Sequence, residues 1–124
     1  MSAGHPEEAR ALTEAALAHA RAHGERGHEA YALRLLGEVA ARRDPSESEH
    51  AEAYYQQTLA FAEDLGMRPL AAHCHLGLGT LYLKMGRDHE AHIELSTAID
   101  MYHAMEMTFW LPQAEAVLAQ VEGR

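Results

Sequence analysis

Cysteine is almost missing from this sequence, aromatic residues are few, and no long apolar run occurs. The 124 residues hold one Cys, which excludes an intramolecular disulfide and fits a reducing compartment. Phe, Trp and Tyr together make up 6% of the chain, and runs of Val, Ile and Thr are absent, which argues against strands. No apolar stretch approaches the ~20 residues that span a bilayer. The opening MSAGHPEEAR lacks the basic-then-apolar order of a signal peptide. These absences predict a soluble, cytoplasmic protein. Basic charge is scarce as well. Ten Lys and Arg stand against 19 Asp and Glu, a net charge of −9 with His neutral. Phosphate binding needs a basic patch, so nucleic acid and anionic membrane are disfavoured as partners. Arg42-Arg43 comes nearest to such a patch, and Asp44, Glu47 and Glu49 follow it closely.

Enzyme motifs are missing too: no Gly-rich phosphate loop, no HExxH and no GxSxG. Cys74 lies between His73 and His75, but sequence neighbours on a helix do not face each other, so the tripeptide makes no catalytic dyad. The chain is expected to be non-catalytic and to need no cofactor.

What is present is a text dominated by Ala, Leu and Glu, long enough for one domain over 1–124 with a core of its own. Helix punctuation recurs steadily. Pro6-Glu7-Glu8 opens a helix that runs to about His23, where Gly24 offers a stop. A second spans about Gly27 to Arg43 and ends before Asp44-Pro45. Ser46 or Ser48 starts a third, with the Ser46-x-x-Glu49 spacing of a capping box, ending near Leu65-Gly66. A fourth covers about Arg68 to Met85, a fifth about Asp88 to Met105, and a sixth about Phe109 to Val121. Loops are short, so consecutive helices pack antiparallel. An all-α fold of about six helices follows.

The chain also repeats itself. Gly37 and Gly79 lie 42 residues apart, each just after a leucine, Leu36 and Leu78. Ala9, Thr13 and Leu17 are echoed by Ala51, Tyr55 and Leu59, then by Ala91, Leu95 and Ile99. Segments close on Gly24, Gly66 and Glu106. A period of this length means stacked helical hairpins. Leu78-Gly79-x-x-Tyr82, followed by Gly86, Ala91, Leu95 and Ala98, resembles the tetratricopeptide repeat; Leu33-x-x-Leu36-Gly37 gives the earlier copy, with Ala40 in place of the motif tyrosine. The motif tryptophan is absent, Leu33 and His75 standing there, and the period exceeds the ~34 residues of the standard repeat. ALRLLGEVAARRD, AEDLGMRPLAAHCHLGLG and FWLPQAEA are similar to the longer variant found in carboxy-terminal regions of large bacterial regulators, including nucleotide cyclases and ATP-dependent transcription activators.

The resemblance implies a right-handed solenoid. It divides the chain into a lone second-type helix at 6–23, repeats at 27–65 and 67–105, and a lone first-type helix at 107–122. It implies a protein-interaction scaffold, regulatory or assembly-related, that binds a peptide or protein on a concave face. Tyr31, Arg34, Glu38, His73, Thr80, Lys84 and Gln113 would point inward there. They do not reproduce the lysine–asparagine clamp with which some members hold a carboxy-terminal carboxylate. The ends raise a second possibility. Phe109, Trp110, Leu111, Val117, Leu118 and Val121 have no following helix to cover them, and His19 and His23 occupy an otherwise apolar stripe on the first helix. Either the chain is a fragment of a longer regulator, or these end helices pair between chains in a homo-oligomer.

The ten histidines motivate one alternative, a metal- or ligand-binding regulatory domain. His73 and His75 point roughly 200° apart on a helix and cannot chelate one ion together. His19/His23 at i, i+4 and His89/His92 at i, i+3 have the spacing for zinc, but each pair is only half a tetrahedral site. No metal site is therefore expected.

Overall fold

Left-handed residues set the rhythm of the fold. In a computed structural model describing residues 5–43 and 45–123, the helices are α1 (His5–Ala22), α2 (Arg26–Arg42), α3 (Ser48–Leu65), α4 (Arg68–Lys84), α5 (Asp88–Ala104) and α6 (Leu111–Glu122). Gly24, Gly66 and Gly86 follow α1, α3 and α4 with φ of 67°, 69° and 77°, and Glu106 follows α5 with φ of 57°. After each, the next amide donates to a carbonyl five residues back: Glu25 to Ala20 and Met67 to Ala62, at 2.9 and 2.8 Å, then Arg87 to Tyr82 and Met107 to Tyr102, both at 2.9 Å. These bonds satisfy the orphan carbonyls of the preceding helix and turn the chain back on itself.

The connection between α2 and α3 differs. Arg43 is extended, and a single 3-10 turn at Pro45–Glu47 leads into Ser48. Ser46 sits within that turn, so α3 begins at Ser48, the later of the two expected starts. Asp44, expected at this break, lies outside the described residues.

The last helix also starts later than its apolar pattern predicts, at Leu111 rather than Phe109. Pro112 explains this. It has no N–H, so it must sit in the first turn, and a start at Leu111 makes it the second helical residue.

Each helix packs on its sequence neighbours. Helix ends meet side by side: Lys84 at the end of α4 reaches the Ala41 carbonyl near the end of α2, and His73 early in α4 meets Trp110 just before α6. α2 also approaches α4, and α4 approaches α6, whereas neither α1 and α3 nor α3 and α5 come close among the described residues.

Apolar residues at helical spacing make the interfaces between these layers. The largest core runs from the end of α2 through α3–α6 and contains Ala40, Tyr55, Leu78, Leu81, Tyr82, Leu95 and Tyr102. Two glycines mark the closest approaches. A Cβ on Gly79 would lie 2.5 Å from Leu95 Cγ, and one on Gly77 would lie 2.7 Å from the Tyr55 ring. The repeat motif predicts a close helix contact at both Gly37 and Gly79; the close approach is found at Gly79, and Gly77 is a second one that the motif does not mark. At Gly37 the nearest atoms, on Tyr54 and Tyr55, stand at 3.4 Å, an ordinary contact.

Polar links then join the hairpins. The Tyr82 hydroxyl donates to Glu52 Oε2 at 2.7 Å, and Arg87 reaches Glu52 Oε1 at 3.2 Å while its guanidinium lies 4.3 Å from the Tyr82 ring centroid. Burial and the Glu52 carboxylate push the Tyr82 phenol up to about 12, which keeps it a donor. No described helix is long and apolar enough to cross a membrane.

Candidate functional site

Helices of about seventeen residues lying side by side leave a furrow between them, and what fills it depends on the side chains facing in. Along α2, α4 and the start of α6 a groove of about 430 Å³ remains open. α2 contributes Arg34, Glu38, Ala41 and Arg42; α4 contributes His73, Leu76, Gly77, Thr80, Leu81 and Lys84. Trp110 and Gln113 enter from α6, and Tyr55 rises from α3 beneath. Spacings of three and four residues on α2 and α4 place these groups on one face of each helix.

The electrostatics of the groove are unlike those of the chain. Three cationic side chains, Arg34, Arg42 and Lys84, face one carboxylate, Glu38. Arg34 and Glu38 pair with each other at 2.8 Å. Lys84 Nζ donates to the Ala41 carbonyl at 2.6 Å, satisfying a group at the end of α2. Arg42 is exposed and makes no ion pair among the described residues.

His73 forms one wall. Its Nδ1 lies 2.6 Å from the Tyr102 hydroxyl, and its ring meets Trp110 edge-on with centroids 4.7 Å apart. Burial first, then the Arg34 charge, holds the His73 pKa below the ordinary imidazole value. Between a neutral imidazole and a protonated phenol this contact is a hydrogen bond in which Nδ1 donates or accepts according to the ring tautomer. Tyr102 is fully buried and its pKa is pushed up to about 12 by that burial, so the phenol keeps its proton.

The tripeptide around Cys74 is thus divided among three surroundings. His73 faces the groove, while His75 Nδ1 meets Glu94 Oε1 of α5 at 2.7 Å. Cys74 is fully buried, and burial raises its thiol to about 12, far from the thiolate needed for nucleophilic or ligand chemistry.

Six of the residues expected to face inward, Arg34, Glu38, His73, Thr80, Lys84 and Gln113, lie together in this groove. Tyr31 is the exception. It lies 42 residues before His73, but α1 borders it where α5 and the start of α6 border His73. Tyr31 therefore lies half-exposed in a shallow apolar depression with Leu12, Ala16 and Leu35. Trp110, Leu76, Leu81, Ala41 and Arg42 line the groove without having been expected there. The sequence places Trp110 with the end-helix residues, because the apolar pattern continues through the turn at 108–110 that brings it onto His73.

The end residues need a correction. Leu111 and Val121 are buried within the single chain, and Trp110, Val117 and Leu118 are partly covered by the α3–α6 core. Only Phe109, 82% exposed, stands clear. The outer face of α6 carries Glu115, Gln120 and Glu122 instead, because the apolar residues are used up on α5. His19 and His23 are exposed and stacked, rings 4.1 Å apart, with His23 Nδ1 donating to the His19 carbonyl at 2.8 Å. His92 Nε2 lies 3.5 Å from Glu122, and among the described residues no three His, Cys, Asp or Glu side chains converge as metal ligands.

No family model matches the chain, and no curated protein matches its sequence.

Proposed function

We propose that the chain is a non-catalytic protein-interaction scaffold of tetratricopeptide type, which holds an extended segment of a partner protein in the groove along α2, α4 and α6. The convergence of six side chains from three helices on that one groove carries the proposal. The packing supports the solenoid part. Close approaches along α2–α4–α6, absent along α1–α3–α5, are what a curved stack of hairpins with the first-type helices inside would give. Left-handed residues at 24, 66 and 106 would return the chain at equivalent places in successive hairpins.

The site suits binding better than bond-making. The buried Cys74 is a protonated thiol outside the groove, and the groove's histidine is bound to a phenol that stays protonated. A groove with charged rims, an aromatic wall and an apolar floor matches the anatomy of a recognition surface.

Selection of peptides from a random display library tests this. The selected peptides should bind the chain, lose binding when Thr80→Arg fills the groove, and keep it when Glu63→Arg alters a distant exposed position. Peptides indifferent to Thr80→Arg but sensitive elsewhere would refute the groove as the binding site.

A further inference from the structure

The groove has two chemically different ends. Lys84 at the end of α4 reaches the Ala41 carbonyl, which brings it beside Arg42 at the end of α2, while His73 and Trp110 lie at the opposite end. The middle is self-neutralised, since Arg34 and Glu38 pair at 2.8 Å. Lys84 spends one N–H on the Ala41 carbonyl and keeps two for a ligand, and the exposed Arg42 guanidinium has no ion-pair partner among the described residues. So the excess of positive charge sits at one end. The other end offers the Trp110 ring, a neutral imidazole and the amide of Gln113.

Length follows from the helix. His73 and Lys84 are eleven residues apart, about 16 Å at ~1.5 Å per residue. An extended peptide advances ~3.3 Å per residue, so roughly five residues span the distance.

We infer that the groove selects an extended acidic peptide segment of about five residues, with carboxylates on Arg42 and Lys84 and an aromatic side chain against Trp110 and His73. This rests on the groove being the binding site. In a chain of net charge −9, a local positive end draws acidic segments away from the acidic surface around it, and a basic segment would be drawn to that surface instead. Arg42 supplies a planar fork that fits a carboxylate, and Lys84 supplies a point charge beside it.

The test uses acetylated, amidated peptides of aromatic-plus-acidic type, Trp-Ala-Ala-Glu-Glu and its reverse, each with Gln and Lys counterparts of the Glu pair. Binding is followed on the full chain by amide chemical shifts and calorimetry. In one of the two directions, the Glu peptide should bind about tenfold tighter than the Gln peptide at low salt, an advantage that shrinks in ~300 mM salt. The Lys peptide should bind least. Arg42→Glu with Lys84→Gln should remove the Glu preference, bringing the Glu and Gln peptides to similar affinity, with circular dichroism checking that the variant stays folded. Equal binding of Glu and Gln peptides, or a Glu preference that survives the double variant, would overturn the acidic assignment while leaving the groove in place. If no peptide, whatever its charge, shifts His73, Thr80 or Lys84 at millimolar concentration, both the assignment and the groove reading fail.

Discussion

Gly37 and Gly79 occupy the same place in successive hairpins, yet replacing each with Ala should move stability in opposite directions. In a helix interior, Gly→Ala contributes about 1 kcal/mol through backbone entropy alone. At Gly37 the new methyl would meet Tyr54 and Tyr55 atoms at 3.4 Å, which is ordinary contact, so the gain survives. At Gly79 it would meet Leu95 Cγ at 2.5 Å, Cδ2 at 2.7 Å and the Leu95 backbone N at 3.3 Å. Leu95 is fully buried, and the atom struck is its branch point rather than a free end, so α5 itself must shift. Overpacking of this kind costs ~2–3 kcal/mol, the upper part of the usual range, leaving a net loss of ~1–2 kcal/mol after the helix term. For a chain of this size each kcal/mol corresponds to ~3–5 °C. Gly79→Ala should therefore melt ~3–10 °C below the parent and Gly37→Ala ~3–5 °C above it, measured by circular dichroism and by urea midpoints. Shifts of the same sign in both variants would refute the assignment of Gly79 to the tight helix contact.

Three further outcomes follow from the structure. Glu106→Gly should raise stability by about 0.5–1 kcal/mol in urea melts, because Glu106 alone among the non-glycine residues described adopts a positive φ, 57°. Cys74 should resist a thiol reagent in the native state and react at the rate of unfolding, since burial pushes its thiol to about 12; rapid stoichiometric labelling without denaturant would contradict that burial. His73 has a folded pKa lowered by burial and Arg34, so its neutral form contributes stability that is complete above its unfolded pKa of ~6.5 and is lost as pH falls from there through the folded value. The parent's stability should accordingly fall more steeply below pH ~6.5 than that of His73→Gln, and parallel curves would show that His73 titrates as it does unfolded.

Much of the helical layout was legible because its signals are local. Gly24, Gly66 and Gly86 end helices by a conformation that depends on their own lack of Cβ, and Pro112 fixes the start of α6 through its missing N–H. Glu106 was legible only through the repeat, by alignment with Gly24 and Gly66, since nothing in a glutamate announces a left-handed turn. The placing of Gln113 and His73 on one groove could also be anticipated, because a helix carries side chains to predictable faces.

Other features were hidden. Gly77 looks like any helical glycine until the ring of Tyr55, twenty-two residues away, is found beside it. Tyr31 shares its repeat position with His73, but its surroundings differ, and position alone could not say which neighbour would be there. Leu111 and Val121 looked uncovered because the pattern shows which face is apolar and not which core receives it.

The sequence by itself determined the all-helical character, the places where helices stop, and the 42-residue spacing between equivalent glycines, since propensity, capping and periodicity act within a few residues of chain. Only the tertiary structure decided that Lys84 would rest on the Ala41 carbonyl and that His73 would bind Tyr102. Those outcomes depend on distances between helices that are far apart in sequence. The side chains at the contacts set those distances, within an ångström, as Leu95 does at Gly79.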